Sequence, residues 1–258
     1  AKIIDGAVVT RMTRHKPLVP EVIIADNKEE VVGALGSKYC PVPVNVVLKE
    51  ILERNGKFAV VGLPCHIHGI RKAEMLDSRL RNRIVLHIGL FCIHTCSFLA
   101  TELLLEKRGI RKNDVVSLGY RGKGWPGEIW VKLWNSCERS VSSPYSRYWD
   151  CVCLTSFFTP ERCAMCPDAT CELSDISLGD AWLPELRQDR IGTSMIKSRT
   201  ESGDRLLRLA RSKGVITITH ISARKVEQSQ VLSLRLKKKS LGAYISLAEL
   251  LGRATPRI

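Results

Sequence analysis

The sequence predicts an α/β fold with α+β elements: a layered core on a mixed sheet, helices packed on it, and a cysteine-rich segment set into it. Three observations predict it. Residues 58–61 and 84–91 are continuous apolar runs of the kind found in strands covered on both faces. Stretches with helical periodicity alternate with them, which is the signature of an α/β layer architecture. Residues 145–168 are rich in aromatics and cysteine but lack periodicity, as expected of a segment held by a bound group.

Taken in order, residues 7–9 and 22–25 read as strands, and 27–35 as a helix with Asn27 as its N-cap. Val44, Val47, Leu48, Ile51 and Leu52 fall on one face of a helix that ends near Gly56. The strands at 58–61 and 84–91 follow, then a helix over 97–107 stopped by Gly109. Residues 119–127 are dense in Gly, Trp and Pro, and 128–134 alternate like an exposed strand. The last third predicts a helix at 203–212, a strand at 215–219 and basic helical material. There is no internal repeat, low-complexity tract or linker.

With 258 residues, 45% apolar and 26% charged, the chain has the composition of a globular protein. No apolar run approaches the ~18–20 residues of a membrane helix. The best candidate, 84–92, is short and interrupted by His87. Without a signal peptide, the expected location is cytoplasmic, compatible with docking to a membrane complex. The chain opens at Ala1 directly on a strand-like stretch, 3–9, and reads as the remainder of a longer gene product. The net charge of +14 is concentrated late: residues 199–258 hold thirteen Lys/Arg against four Asp/Glu, including Arg235, Lys237, Lys238 and Lys239. Such a surface attracts nucleic acid, an anionic membrane, an acidic partner protein or a polyanionic cofactor, or is simply a solvated face.

Ten cysteines without an export signal argue against a disulfide framework and for buried small residues or metal ligands. Cys163-Ala-Met-Cys166-Pro is the strongest local signal, since this spacing brings two sulfurs to one metal. Alone it also fits half a zinc site or a redox dithiol. Cys65 and Cys92 follow the predicted strands at 58–61 and 84–91, and α/β sheets gather ligands at the carboxyl ends of strands. Cys96 and Cys171 are weaker candidates, and Cys40, Cys137, Cys151 and Cys153 read as structural. Because only one pair is close in sequence, a cluster buried within a domain is favoured over a zinc finger. His66 and His68 lie beside Cys65, but no third orienting group marks a cysteine-nucleophile site.

Several stretches taken together resemble one family. They are Gly62-Leu-Pro-Cys-His-Ile-His-Gly-Ile-Arg-Lys, Ile88-Gly-Leu-Phe-Cys, Tyr120-Arg-Gly-Lys-Gly-Trp-Pro-Gly, Arg162-Cys-Ala-Met-Cys-Pro-Asp, Glu172-Leu-Ser-Asp-Ile-Ser-Leu-Gly-Asp-Ala-Trp and Gly192-Thr-Ser-Met-Ile-Lys. In this order, from the first residues to about Val215, they are similar to the coenzyme F420 hydrogenase/dehydrogenase beta-subunit family. The resemblance implies an oxidoreductase subunit, a flavoprotein carrying FAD and a [4Fe-4S] iron–sulfur cluster. Such a subunit exchanges hydride with coenzyme F420 or a related reductant and passes single electrons to a partner. That partner would be the catalytic subunit of a hydrogenase, dehydrogenase or reductase complex.

By motif, the resemblance makes Cys65, Cys92, Cys163 and Cys166 the cluster ligands and places Ser37, Lys38 and Tyr39 at the flavin. Asp180 and Trp182 would support the cluster region or the fold. It implies one domain over 1–258, with an α/β flavin-side part at 1–118. The part at 119–258 would hold the Cys-x-x-Cys cluster segment and the basic tail. Two departures bear on this. The Gly/Thr-rich element that precedes residue 1 in relatives is absent, so the chain as it stands is expected to bind FAD poorly. His66 replaces a common glutamine. The readings outside this family are a zinc-stabilised nucleic-acid-binding module, which would call for a basic-aromatic motif the sequence lacks, and a structural subunit of a redox complex.

Overall fold

Strand β1 (Gly6–Met12) turns back on β2 (Pro20–Ala25) as an antiparallel hairpin with Val8 opposite Ile24. The computed structural model describes residues 3–13, 15–134, 138–142 and 157–256. On the other side of β1 lie β3 (Phe58–Gly62), then β4 (Ile84–Leu90) and β8 (Ile176–Asp180), all parallel to it, and finally β9 (Ser194–Ser198), antiparallel to β8. The six-stranded sheet, in the order β2-β1-β3-β4-β8-β9, is therefore mixed as expected. Its four inner strands point the same way, so their carboxyl ends share one rim.

The helices follow local rules. In α1 (Lys28–Gly33), Asn27 Oδ1 accepts the Glu30 N–H at 2.9 Å, the predicted cap. The stripe Val44, Val47, Ile51 is buried, but its first turn, Val44–Val47, is 3-10 and becomes α2 only at Leu48–Glu53. Helix α3 (Pro64–Leu76) leaves β3 with proline in its first turn, where the missing N–H is not needed. It turns Ile67 and Ile70 into the core, and α4 (Ser78–Arg83) leads into β4. The apolar layer joining this side comprises Val8, Phe58, Val60, Ile67, Ile70, Leu80 and Ile84.

A second core lies between α5 (Phe98–Glu106) and an antiparallel sheet of β5 (Val115–Gly119), β6 (Ile129–Leu133) and β7 (Glu138–Ser142). The expectation of an exposed strand at 128–134 is corrected here. β6 is the central strand, and Ile129, Val131 and Leu133 face the core while Lys132 faces out. Trp130 lies across β5: a Cβ on Gly122 would stand 2.6 Å from Trp130 Nε1, so a bare backbone is needed there.

Past the short helix α6 (Glu161–Ala164) and the β8–β9 hairpin, α7 (Glu201–Ser212) is capped by Thr200. The expected strand at 215–219 is not one; the segment is irregular and Val215 is exposed. Its alternation meets no partner strand, and the chain instead crosses the surface to set Ile221 and Val226 against Ala181, Leu183 and Met195. Helices α8 (Ala223–Ser229), α9 (Val231–Leu234) and α10 (Leu241–Leu250) close the chain, with a π-helical turn at Arg235–Lys239 between the last two. No helix among the described residues is long and apolar enough to cross a membrane.

Candidate functional site

Each of the four predicted ligand cysteines stands at the end of an element. Cys65 is the second residue of α3, immediately beyond β3. Cys92 lies two residues past β4, and its N–H donates to Ala169 O at 2.9 Å, which ties it to the segment behind Cys166. Cys163 sits in α6, with Cys166 one turn on. The four thiols form one electrostatic neighbourhood. Burial first, then Cys163 and Cys166, push the Cys65 thiol up. Burial first, then Cys163, Cys65 and Cys166, push up Cys92, with Lys237 opposing.

The fold thus brings together segments about a hundred residues apart. Among the described residues, however, no three His, Cys, Asp or Glu side chains crowd closely enough to hold a single metal ion. A zinc ion needs four ligands on one small tetrahedron, whereas an iron–sulfur cube takes one thiolate at each of several corners and spreads them apart. Four cysteines offered from three elements, with Cys65 and Cys92 both sensing Cys163 and Cys166, have a donor set suited to such a cube. Thiolates bound to iron are compensated; four bare thiolates here would not be.

The contacts that support these cysteines are tertiary ones, between motif stretches far apart in the chain. Asp168, nearly fully buried, accepts the Thr170 N–H at 3.0 Å and the Glu172 N–H at 2.8 Å, shaping the turn after Cys166. Its Oδ2 also lies 3.1 Å from Nε2 of His68, one turn beyond Cys65 on α3. The same aspartate therefore binds the Cys163–Cys166 loop to the Cys65 helix. At His66 the departure from glutamine has a physical account. Nδ1 accepts the Leu63 N–H at 3.1 Å, the role that glutamine takes in a capping box. Burial pushes the imidazole down to about 4, so it stays neutral, and its Nδ1 is committed to α3 rather than to Cys65.

One strand-length below, His87 is buried in the sheet between two carboxylates. Nε2 meets Glu74 of α3 at 2.6 Å, and Nδ1 meets Asp175 at 3.1 Å. Asp175 also accepts the His87 N–H at 2.7 Å and the Thr200 hydroxyl at 2.9 Å. Arg71 joins both carboxylates, at 3.2 Å to Glu74 and 3.4 Å to Asp175. Burial alone would push His87 down, but hydrogen bonds to Asp175 and Glu74 outweigh it and hold the imidazole above its usual range. Burial likewise opposes ionisation of Asp175, yet the His87 hydrogen bonds hold it down at about 2. The network pins α3, β4 and the start of β8 to one another.

The remaining cysteines divide cleanly. Cys40 and Cys96 are buried in the second core, the former beside Tyr120 and pushed up to about 11 by burial. Cys171 is a core residue at φ 56°, wedged so tightly against Gly89 that any side chain there would collide with it. Cys137, Cys151 and Cys153, and residues 145–156 of the segment expected at 145–168, lie outside the described residues.

The turn that carries Ser37, Lys38 and Tyr39 packs against the start of the Gly-Trp-Pro loop and the second core. Gly36 faces Arg121 O, and Tyr39 packs edge-on against Tyr120 with ring centroids 5.9 Å apart. Lys38 turns back: Nζ donates to Ala34 O at 2.6 Å and Gly36 O at 2.8 Å, and burial pushes it down to about 8. Arg121 donates to Asp180 at the end of β8, at 2.7 Å, and Trp125 stacks on Trp182 with centroids 4.8 Å apart. Asp180 and Trp182 thus anchor the 119–127 loop to the rim.

The family model for the C-terminal portion of the beta subunit of coenzyme F420 hydrogenase/dehydrogenase matches residues 55–224, and the model for the N-terminal portion matches residues 1–49. The matched family is one of oxidoreductase subunits. The chain belongs to the coenzyme F420 hydrogenase/dehydrogenase beta-subunit family. It is 31% identical over 263 aligned positions to a beta subunit of coenzyme F420 hydrogenase from Methanococcus voltae, covering 97% of this chain and 84% of that one. A counterpart in Methanothermobacter thermautotrophicus is 28% identical over 92% of this chain and 79% of its own length. A coenzyme F420-dependent sulfite reductase of Methanocaldococcus jannaschii is 25% identical over 92% of this chain, which spans only 36% of that protein. In three dimensions the chain resembles a chain of the F420-reducing [NiFe] hydrogenase complex of Methanosarcina barkeri. The TM-score is 0.69 at 22% identity, over 98% of this chain and 83% of the other, which speaks for the fold alone. Membership sets aside the zinc-stabilised nucleic-acid module.

Proposed function

We propose that this chain is the electron-transfer subunit of a cytoplasmic redox complex. It would link coenzyme F420 or a related reductant, through FAD and a [4Fe-4S] cluster, to a catalytic partner. The observation that carries the reading is that the segments bearing Cys65, Cys92 and the Cys163–Cys166 pair are tied together, through His68 with Asp168 and through the Cys92 N–H with Ala169 O. The flavin supplies the exchange between two-electron hydride chemistry and the one-electron chemistry of the cluster. The protein's part is to hold four thiolates, exclude water and orient the cofactors.

Cys65 and Cys92 are presented by the parallel sheet, and the Cys163–Cys166 loop is presented to them by Asp168 and Ala169. Ser37 and Tyr39 would contribute to the flavin site through the Gly36 turn. Lys38 would fix that turn through the carbonyls it holds rather than by meeting a phosphate. The flavin-side part, 1–118, and the cluster-and-tail part, 119–258, act as one unit, because β8 and β9 complete the sheet that the first part begins.

Iron, acid-labile sulfide and flavin measured after purification without oxygen test the reading. The expected result is about four irons and four sulfides per chain. Cys163→Ser and Cys166→Ser should each lose the cluster, and full iron retention in either variant refutes the ligand set. With FAD supplied, bleaching of coenzyme F420 by an artificial electron donor tests the flavin half separately.

A further inference from the structure

The run Arg235, Lys237, Lys238, Lys239 has the composition of a solvated face, and it lies beyond the family match, which ends at residue 224. The structure divides it. Lys238 and Lys239 are exposed, but Lys237 is only 3% exposed. Its Nζ donates to Cys163 O at 2.6 Å. It also lies within electrostatic reach of Cys92. The local cause is the π-helical turn Arg235–Lys239, whose extra residue per turn rotates one side chain of the run inward.

Two further basic residues brace the same segment. Lys238 pairs with Glu172 at 2.6 Å, and Arg253 pairs with Glu161 at 2.7 Å. Glu161 and Glu172 bracket the Cys163–Cys171 stretch, so the C-terminal segment grips the cluster loop at both ends and sets one lysine on the backbone of Cys163. A buried ammonium with one carbonyl acceptor is costly unless negative charge lies nearby. Neutral thiols do not supply that charge, whereas thiolates on a cluster do.

We propose that Lys237 is a positioning residue that raises the reduction potential of the cluster, and that the C-terminal segment is the clamp that delivers it. This rests on the cluster reading above. Reduction adds one electron, hence one negative charge, to the cluster and its thiolates. A fixed cation on the Cys163 backbone stabilises that form more than the oxidised one, net charge and hydrogen bonding being principal determinants of cluster potential. The chain is thereby matched to a less reducing donor than the four cysteines alone would set.

The test compares wild type with Lys237→Gln, Lys237→Met and, as a control for loss of one surface charge, Lys239→Gln. All are purified without oxygen and analysed for iron and sulfide. The midpoint is followed by electron paramagnetic resonance during dithionite titration, and iron release to a chelator provides a second readout. Both Lys237 variants should shift the midpoint to more negative values and release iron faster, while Lys239→Gln matches wild type. An intact cluster in Lys237→Gln with wild-type midpoint and wild-type iron release overturns the inference and leaves the cluster standing. Absence of iron from the wild-type protein overturns the cluster reading instead, and this inference with it.

Discussion

Replacing Asp175 with alanine removes the acceptor for the His87 backbone N–H, the His87 ring and the Thr200 hydroxyl, and takes away one of the two carboxylates on Arg71. The Thr200 and Arg71 groups are partly exposed and can turn to water, whereas the His87 donors are sealed in the sheet. Each orphaned donor costs about 1–3 kcal/mol, and breaking a buried ion pair by removing one partner costs about 3–5 kcal/mol, so a loss of roughly 4 kcal/mol is expected. For a chain of this length each kcal/mol moves the Tm by about 2–4 °C, which gives a fall on the order of 10 °C. Calorimetric unfolding of the metal-free protein is the assay, because it isolates the network from any cofactor. The comparison is Arg208→Gln, which breaks the exposed Arg208–Asp204 pair of α7 and should cost about 0.3–0.5 kcal/mol. Equal Tm values for the two variants would refute the argument that this network pins α3 to the sheet.

Two other outcomes follow from the same geometry. Because the folded-state pKa of His87 is raised, its contribution to stability is complete below about pH 6.5 and is lost as pH rises through the folded value; Tm measured across that range should decline in wild type and flatten in His87→Gln. Gly179→Ala would place a Cβ 2.5 Å from Phe91 Cγ, next to Cys92, so a loss of about 1–3 kcal/mol is expected, with iron content reduced when cluster is reconstituted; unchanged melting would show that Phe91 yields freely.

Much of the sheet was legible in the sequence because its inner strands carry the apolar runs that double coverage demands: Phe58–Gly62 and Ile84–Leu90 stand where expected. The α1 cap and α5 were legible for equally local reasons. Strands β8 and β9 carried no local signal beyond their motifs. Each has five residues, and β8 is short, glycine-bearing and paired with a strand far away in the chain. At 215–219 the converse held, since alternation without a partner does not make a strand. The ligand cysteines could be singled out by strand ends and by the close pair. The part their supports play could not: Glu74 and Lys237 are charged residues that a sequence assigns to the surface, and Asp168 and Asp175, although inside the quoted motifs, show their partners only in three dimensions. Only tertiary structure distinguishes Lys237 from Lys238 and Lys239, which share its composition and its neighbours.

The pairing of Ile88 with Ile176 also sets an order of assembly. During synthesis Cys65 and Cys92 emerge with β3 and β4, which can pair at once, but the opposite half of the site is tied to them only once residues 163–169 have been made and about seventy residues have been closed into a loop, and β8 then completes the sheet beside β4. The residues that seal the group, 235–253, come later still. Site formation is therefore one of the slow, late events of folding rather than a seed for it. Any loading of the cysteines during biosynthesis has a window that opens with residues 163–169 and narrows as the last helices settle.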